Sequence, residues 1–162
     1  MTAHARILIR LDAQTLELFD GDRIVASYPV STGCNGPGEE RDSGCTPRGR
    51  HRIRLRIGDG CPANTVFLGR RPTGEIYASD LAALEPDRDW ILTRILWLTG
   101  AEPGRNRGGR VDTLRRYIYI HGCPDAAPLG VPLSHGCIRM RNADLLDLFD
   151  RVRAGTIVDI AE

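Results

Sequence analysis

From Arg48 to Ile57 the chain places arginine at every second position. Only an extended strand, whose side chains alternate faces with period two, puts Arg50, Arg52, Arg54 and Arg56 on one side and His51, Ile53, Leu55 and Ile57 on the other. A helix would scatter the same residues around its circumference. The arginine side reads as a solvated outer face.

Strand-length runs recur elsewhere. Arg6 to Leu11 and Leu16 to Phe19 read as strands, Asp20-Gly21-Asp22 as a turn, and Arg23 to Val30 as the returning strand. Thr65 to Arg70 and Trp90 to Leu98 read as further strands, although the second is long enough to be helical. Arg116 to Ile120 is a β run that leads straight into His121. The stretches Ser31–Arg48 and Gly100–Arg110 are rich in glycine and charge and read as loops. One segment has helical period: Asn142 is placed as its N-cap, Asp144 lies in its first turn, and Leu145, Leu146, Leu148, Phe149 and Val152 form its apolar stripe to about Arg153. Gly155 ends it, and Thr156 to Ile160 is a final strand. No repeat or linker interrupts residues 1–162, so the expectation is one mostly-β domain with one main helix near the C-terminus.

Composition removes several function classes. The formal net charge is +1, which argues against a nucleic-acid partner held by bulk positive charge. Every basic residue is arginine, so neither a Schiff-base lysine nor a phosphate-loop lysine is available. No apolar run is long enough to span a bilayer, so no membrane role is expected, and no export signal precedes the first strand. A cytoplasmic location is the expectation from that N-terminus. Five cysteines, an odd number with no C-x-x-C spacing, speak against a zinc ribbon or a thioredoxin-like site.

Two H-G-C triplets carry the chemistry: His121-Gly122-Cys123 and His135-Gly136-Cys137. A histidine beside a cysteine can generate the thiolate, which is the nucleophilic form. Cys137 is the better nucleophile candidate. Gly136 lets its backbone turn sharply and leaves nearby amides able to face an oxyanion, whereas Cys123 is followed by Pro124, which has no amide hydrogen. His121, at the end of a β run, is suited to act as a base held by a rigid element. Two other readings remain open on the residues alone. The four side chains could be packed core residues, or His121, Cys123, His135 and Cys137 could hold a structural zinc.

Upstream, Arg105, Arg107, Arg110, Arg115 and Arg116 cluster in a segment whose first half is rich in glycine. Arginine grips carboxylates with two hydrogen bonds, so this segment reads either as a lid, with Arg110 and Arg115 as candidate substrate contacts, or as a solvated loop whose arginines have no specific partner.

The block Ser134-His135-Gly136-Cys137-Ile138-Arg139-Met140-Arg141-Asn142, with His121-Gly122 upstream, resembles the signature of the L,D-transpeptidase catalytic domain, the YkuD-type family. Val30-Ser31-Thr32-Gly33, Thr46-Pro47-Arg48-Gly49 and the ending Gly155-Thr156-Ile157-Val158 are similar to its other motifs. The resemblance implies a β-sandwich or partly open barrel and a peptidoglycan stem peptide as substrate. It implies Cys137 as nucleophile, His121 as base and His135 in support. Backbone amides at His135, Gly136 and Cys137 become oxyanion donors, and Ser134 and Arg139 substrate-facing positions. It implies thioester chemistry without metal or organic cofactor, and acylation of Cys137 by carbapenem-type inhibitors. The extra thiols and the absent signal then favour water as acceptor, an L,D-carboxypeptidase in peptidoglycan recycling, over an amine acceptor and crosslinking. A zinc-stabilised or catalytically silent peptidoglycan-binding module is the alternative.

Overall fold

The computed structural model describes residues 4–162. In chain order the strands are β1 (Ala5–Arg10), β2 (Thr15–Asp20), β3 (Arg23–Ser31), β4 (Gly49–Ile57), β5 (Thr65–Leu68), β6 (Arg71–Ile76), β7 (Ile91–Gly100), β8 (Tyr119–Gly122), β9 (Ile138–Met140) and β10 (Ile157–Ala161). Two helices, α1 (Ser79–Leu84) and α2 (Asn142–Arg151), complete the set, with a short 3-10 turn at Gly109–Val111.

The strands follow one another in the order β4-β10-β1-β2-β3-β9-β8-β7, and a β4–β7 pairing closes the ring. The mostly-β expectation is met, and the barrel is closed. Leu92 and neighbouring Ile91 pair with β5, while Ile95 to Gly100 pair with β4, so one edge of β7 serves two partners in turn. The β5–β6 hairpin therefore hangs off the ring instead of joining it.

Alternation builds the core. Ile7, Ile9, Leu16, Leu18, Val30, Ile53, Ile120, Ile138, Val158 and Ile160 point inward and are buried. The apolar stripe of α2, Leu145, Leu148 and Phe149, joins the same cluster, and the helix packs on β7 and β8. Burial of each such side chain is worth about 1.5–3 kcal/mol, which makes α2 a strut behind β7 and the strand that carries His121.

Several expectations need correction. The arginine alternation of β4 holds only to Ile53. A bulge between Ile53 and Leu55 shifts the register against β7, leaving Leu55 43% exposed and turning Arg56 inward. Arg56 stacks 3.9 Å from the Phe149 ring and donates to Phe149 O at 2.7 Å, near the C-terminal end of α2 where carbonyls lack partners. The 65–70 run is shorter as a strand than expected: β5 ends at Leu68, residues 69–70 turn, and β6 returns from Arg71. Arg116 and Tyr117 belong to a turn, and β8 begins only at Tyr119. Asn142 is not a cap. Arg141 occupies that position, and Asn142 is a buried first residue of α2 with its side chain turned into the protein.

Candidate active site

The parallel pairing of β8 and β9 sets the site. Ile120 lies opposite Ile138, His121 opposite Arg139 and Gly122 opposite Met140. Ile120, Ile138 and Met140 face the core. By alternation Tyr119, His121, Cys137 and Arg139 share the outer face. The two H-G-C triplets are thus brought together by a ladder, and His121 and Cys137 line one pocket of about 290 Å³ with Tyr119, His135, Arg139 and Asp89.

The Cys137 thiol donates to Tyr117 O at 3.3 Å and accepts from Tyr119 N at the same distance. Burial pushes it up to about 12, against a partial opposing effect of the Tyr119 amide and the Arg139 and Arg116 charges. His121 is 1% exposed, and burial lowers its pKa. Both shifts favour the neutral forms. His121 Nδ1 lies 2.7 Å from Gly122 O, an acceptor only, so Nδ1 carries the proton and Nε2 is the basic nitrogen.

The turn before β9 is internally stitched. Ser134 Oγ donates to Cys137 O at 2.6 Å and accepts from Gly136 N at 3.1 Å. Ser134 is 1% exposed, lines the pocket, and here holds the turn through its hydroxyl, which accepts the Gly136 amide. Gly136 is needed for its backbone: its φ is +126, and a Cβ there would stand 3.0 Å from Cys45 O. The early motif residues pack beneath this turn, with Ser134 N donating to Thr32 O and Cys34 N to Ser134 O, both at 2.9 Å. Thr46 Oγ1 reaches the Gly136 carbonyl from the other side.

Asp89 is the residue the sequence did not point to. Its carboxylate takes Arg139 Nη2 at 3.1 Å and faces His135 Nδ1 at 3.6 Å. It comes from the loop before β7, and only folding places it here. Arg139 also donates to Leu133 O at 3.4 Å, so its guanidinium stands at the pocket already oriented.

The arginine-rich segment divides. Arg115 lines a second pocket, of about 260 Å³, that shares Arg116, Tyr117, Ile118 and His135 with the first. Arg116 donates to Gly38 O, Glu39 O and Cys45 O and straps the segment to the 34–48 loop. Arg110 lines neither pocket and lies 3.5 Å from Glu40. The lid expectation changes. Asn106 is fully buried and donates to Arg48 O and Arg50 O, which braces the glycine-rich half against β4.

The four residues of the zinc alternative do not converge. The His135 side chain is 75% exposed, and the buried Cys123 thiol donates to Met140 O at 3.4 Å. Among the described residues no three His, Cys, Asp or Glu side chains group as a metal site.

A family model for the L,D-transpeptidase catalytic domain matches residues 4–160. YkuD of Bacillus licheniformis, a protein that carries the L,D-transpeptidase name, is 28% identical over 156 residues, covering 96% of this chain and 64% of its own length. This chain therefore spans less than two thirds of that relative. Among solved structures, the L,D-transpeptidase from Mycobacterium smegmatis superposes with a TM-score of 0.60 at 20% identity, over 97% of this chain and 58% of that one. L,D-transpeptidase 3 from Mycobacterium tuberculosis, in complex with a faropenem-derived adduct, gives 0.58 at 19% identity, over 98% and 60%. At these identities the structural likeness speaks for the fold.

Proposed function

This chain belongs to the L,D-transpeptidase catalytic domain family, and from that premise we propose that it is a cysteine acyl-transfer enzyme acting on peptidoglycan tetrapeptide stems. The observation that carries the reading is the one pocket lined by both Cys137 and His121, which the β8–β9 ladder brings to the same face.

Cys137 Sγ attacks the carbonyl of the diamino acid at position three while His121 Nε2 takes the thiol proton. In this reading proton transfer accompanies attack, and His121 serves as the general base. With the Gly136 amide committed, the amides of His135 and Cys137 are the donors to the tetrahedral oxyanion. Collapse expels D-alanine, which leaves with the proton held by His121, and forms a thioester on Cys137. Arg139 lines the Cys137 pocket and Arg115 the neighbouring one, which supports assigning them to carboxylates of the stem peptide.

The acceptor decides between a hydrolase and a transferase. All five cysteines are unpaired, which suits a reducing compartment. There the accessible substrate is a wall fragment, so water is the acceptor in this reading and the product is a trimmed tripeptide. Carbapenem-type β-lactams are proposed to acylate Cys137. The faropenem-derived adduct on the tuberculosis neighbour supports that expectation.

The test is incubation with a tetrapeptide, with and without a D-amino acid, followed by mass spectrometry of peptide and protein. The expected result is loss of one alanine from the peptide without added acceptor. Exchange of the terminal residue only when the amino acid is present would move the assignment to a transferase. An intact tetrapeptide in both mixtures would overturn the acyl-transfer reading.

A further inference from the structure

The β7–β8 ladder breaks at the one step that delivers His121. Leu92 pairs with Gly122 and Ile95 with His121, so Thr93 and Arg94 bulge out of β7 opposite that step. Thr93 has φ +77. A β-branched residue enters this left-handed region only where surrounding contacts over-determine it, and such outliers collect at functional sites.

The contacts are specific. Thr93 is fully buried, and its hydroxyl accepts from Asn64 N at 3.0 Å and donates to Asn142 Oδ1 at 2.6 Å. Asn142 is 4% exposed, and its amide nitrogen donates to Cys123 O at 2.8 Å, with Asp125 Oδ1 at 3.0 Å and Asn64 Oδ1 at 3.1 Å also in range. The carboxamide lies against the Cα of Gly122. A Cβ on Gly122 would run into Asn142 Oδ1, and it would stand 2.6 Å from Leu92 O. The Gly122 peptide is therefore boxed between the β7 backbone and Asn142, with the next carbonyl tied to Asn142 as well. Gly122 O is the acceptor for His121 Nδ1.

We propose that Thr93 and Asn142 are positioning residues that hold the Gly122 carbonyl and, through it, the tautomer and orientation of the His121 imidazole. Neither lines the catalytic pocket. Their reach to His121 is through one peptide group, and the strain at Thr93 is what aims its hydroxyl at Asn142. The catalytic consequence rests on His121 being the base; the tautomer consequence does not.

The experiment combines nitrogen-15 NMR of labelled histidine with kinetics on a tetrapeptide, for wild type, Thr93→Val, Thr93→Ser and Asn142→Ala. In the wild type, His121 is expected to show one tautomer with the proton on Nδ1. Thr93→Val removes the hydroxyl and keeps the shape; it and Asn142→Ala are expected to show mixed tautomers. Their kcat should fall about tenfold or more, the scale of a misplaced catalytic group, with KM within about twofold. Loss of the Gly122 acceptor removes what raises the imidazole pKa, so the acid limb of the kcat profile should move to lower pH. Thr93→Ser keeps the hydroxyl and should stay near wild type. If Asn142→Ala does not fold, Thr93→Val carries the test. A proton on Nε2 in the wild type overturns the proposal. So does an unchanged tautomer in folded Thr93→Val, or a kcat loss with an unmoved pH profile. Should the tautomer result hold in a protein that turns over no peptide, the brace stands and the acyl-transfer reading fails.

Discussion

The Thr46 hydroxyl donates to the carbonyl of Gly136 at 2.9 Å and accepts the amide of Gly33 at 2.8 Å. One buried oxygen thus ties the segment after β3 to the turn that presents Cys137. Thr46→Val keeps the shape and leaves both backbone groups without their partner. Stability is expected to fall by about 1–3 kcal/mol and turnover by about tenfold as the turn loosens, while Thr46→Ser stays close to wild type. Chemical denaturation and steady-state kinetics check this. Full activity in the valine variant would show that the Gly136 peptide is held by other means.

The two H-G-C triplets are separable by substitution. Cys137→Ala is expected to abolish turnover and β-lactam adduct formation while the fold persists. Cys123 is 2% exposed and faces the Met140 carbonyl, so Cys123→Ala should cost stability on the order of 1 kcal/mol and keep most activity. His121→Ala should lose about a hundredfold or more, the usual worth of a positioned base. Intact-mass measurement after carbapenem treatment separates the cysteines, and equal adducts on wild type and Cys137→Ala would refute the assignment.

The arginines differ by position. Arg115 borders the pocket beside His135, and Arg110 lies beyond it near Glu40. Arg115→Ala should raise KM about tenfold, as for loss of a charge-assisted contact of roughly 1.5–3 kcal/mol. Arg110→Ala should leave both constants unchanged. Identical kinetics for the two variants would remove Arg115 from substrate binding.

His51 makes stability pH-dependent. It is fully buried, with Nδ1 3.0 Å from Gly49 O and Nε2 2.9 Å from the Thr113 hydroxyl, and burial lowers its pKa from 6.5 to about 4. Between these values the unfolded chain binds a proton that the folded chain does not. Stability should therefore fall as pH drops from 6.5 towards 4, by about 3 kcal/mol in all. Urea unfolding across that range measures it, and His51→Gln should flatten the slope. An unchanged slope in that variant would place the effect on other groups.

What was legible in the sequence was local. Period-two runs marked β1 to β4, and a run of contiguous residues marked Cys137 and, with its offset, His121. Asp89, Thr93 and Thr46 act through partners on distant segments, and no short window contains those pairs. Asn142 shows the ambiguity of residue type: asparagine serves both as a helix cap and as a buried multi-partner amide, and only tertiary packing chose between them. The β4 bulge was invisible because the arginine alternation runs on past Ile53 while the backbone does not. Helix α1 buries none of its residues, so no apolar period announced it.

Because β8 and β9 are joined by a direct ladder, the separation of His121 from Cys137 does not depend on the chain that runs between them. Ala126 and Pro128, at the exposed tip of that excursion, belong to no strand or helix. Doubling the length of such a loop costs only about 0.6 kcal/mol in closure entropy. This tip is where insertions can accumulate, or foreign peptides be spliced, with the chemistry left in place.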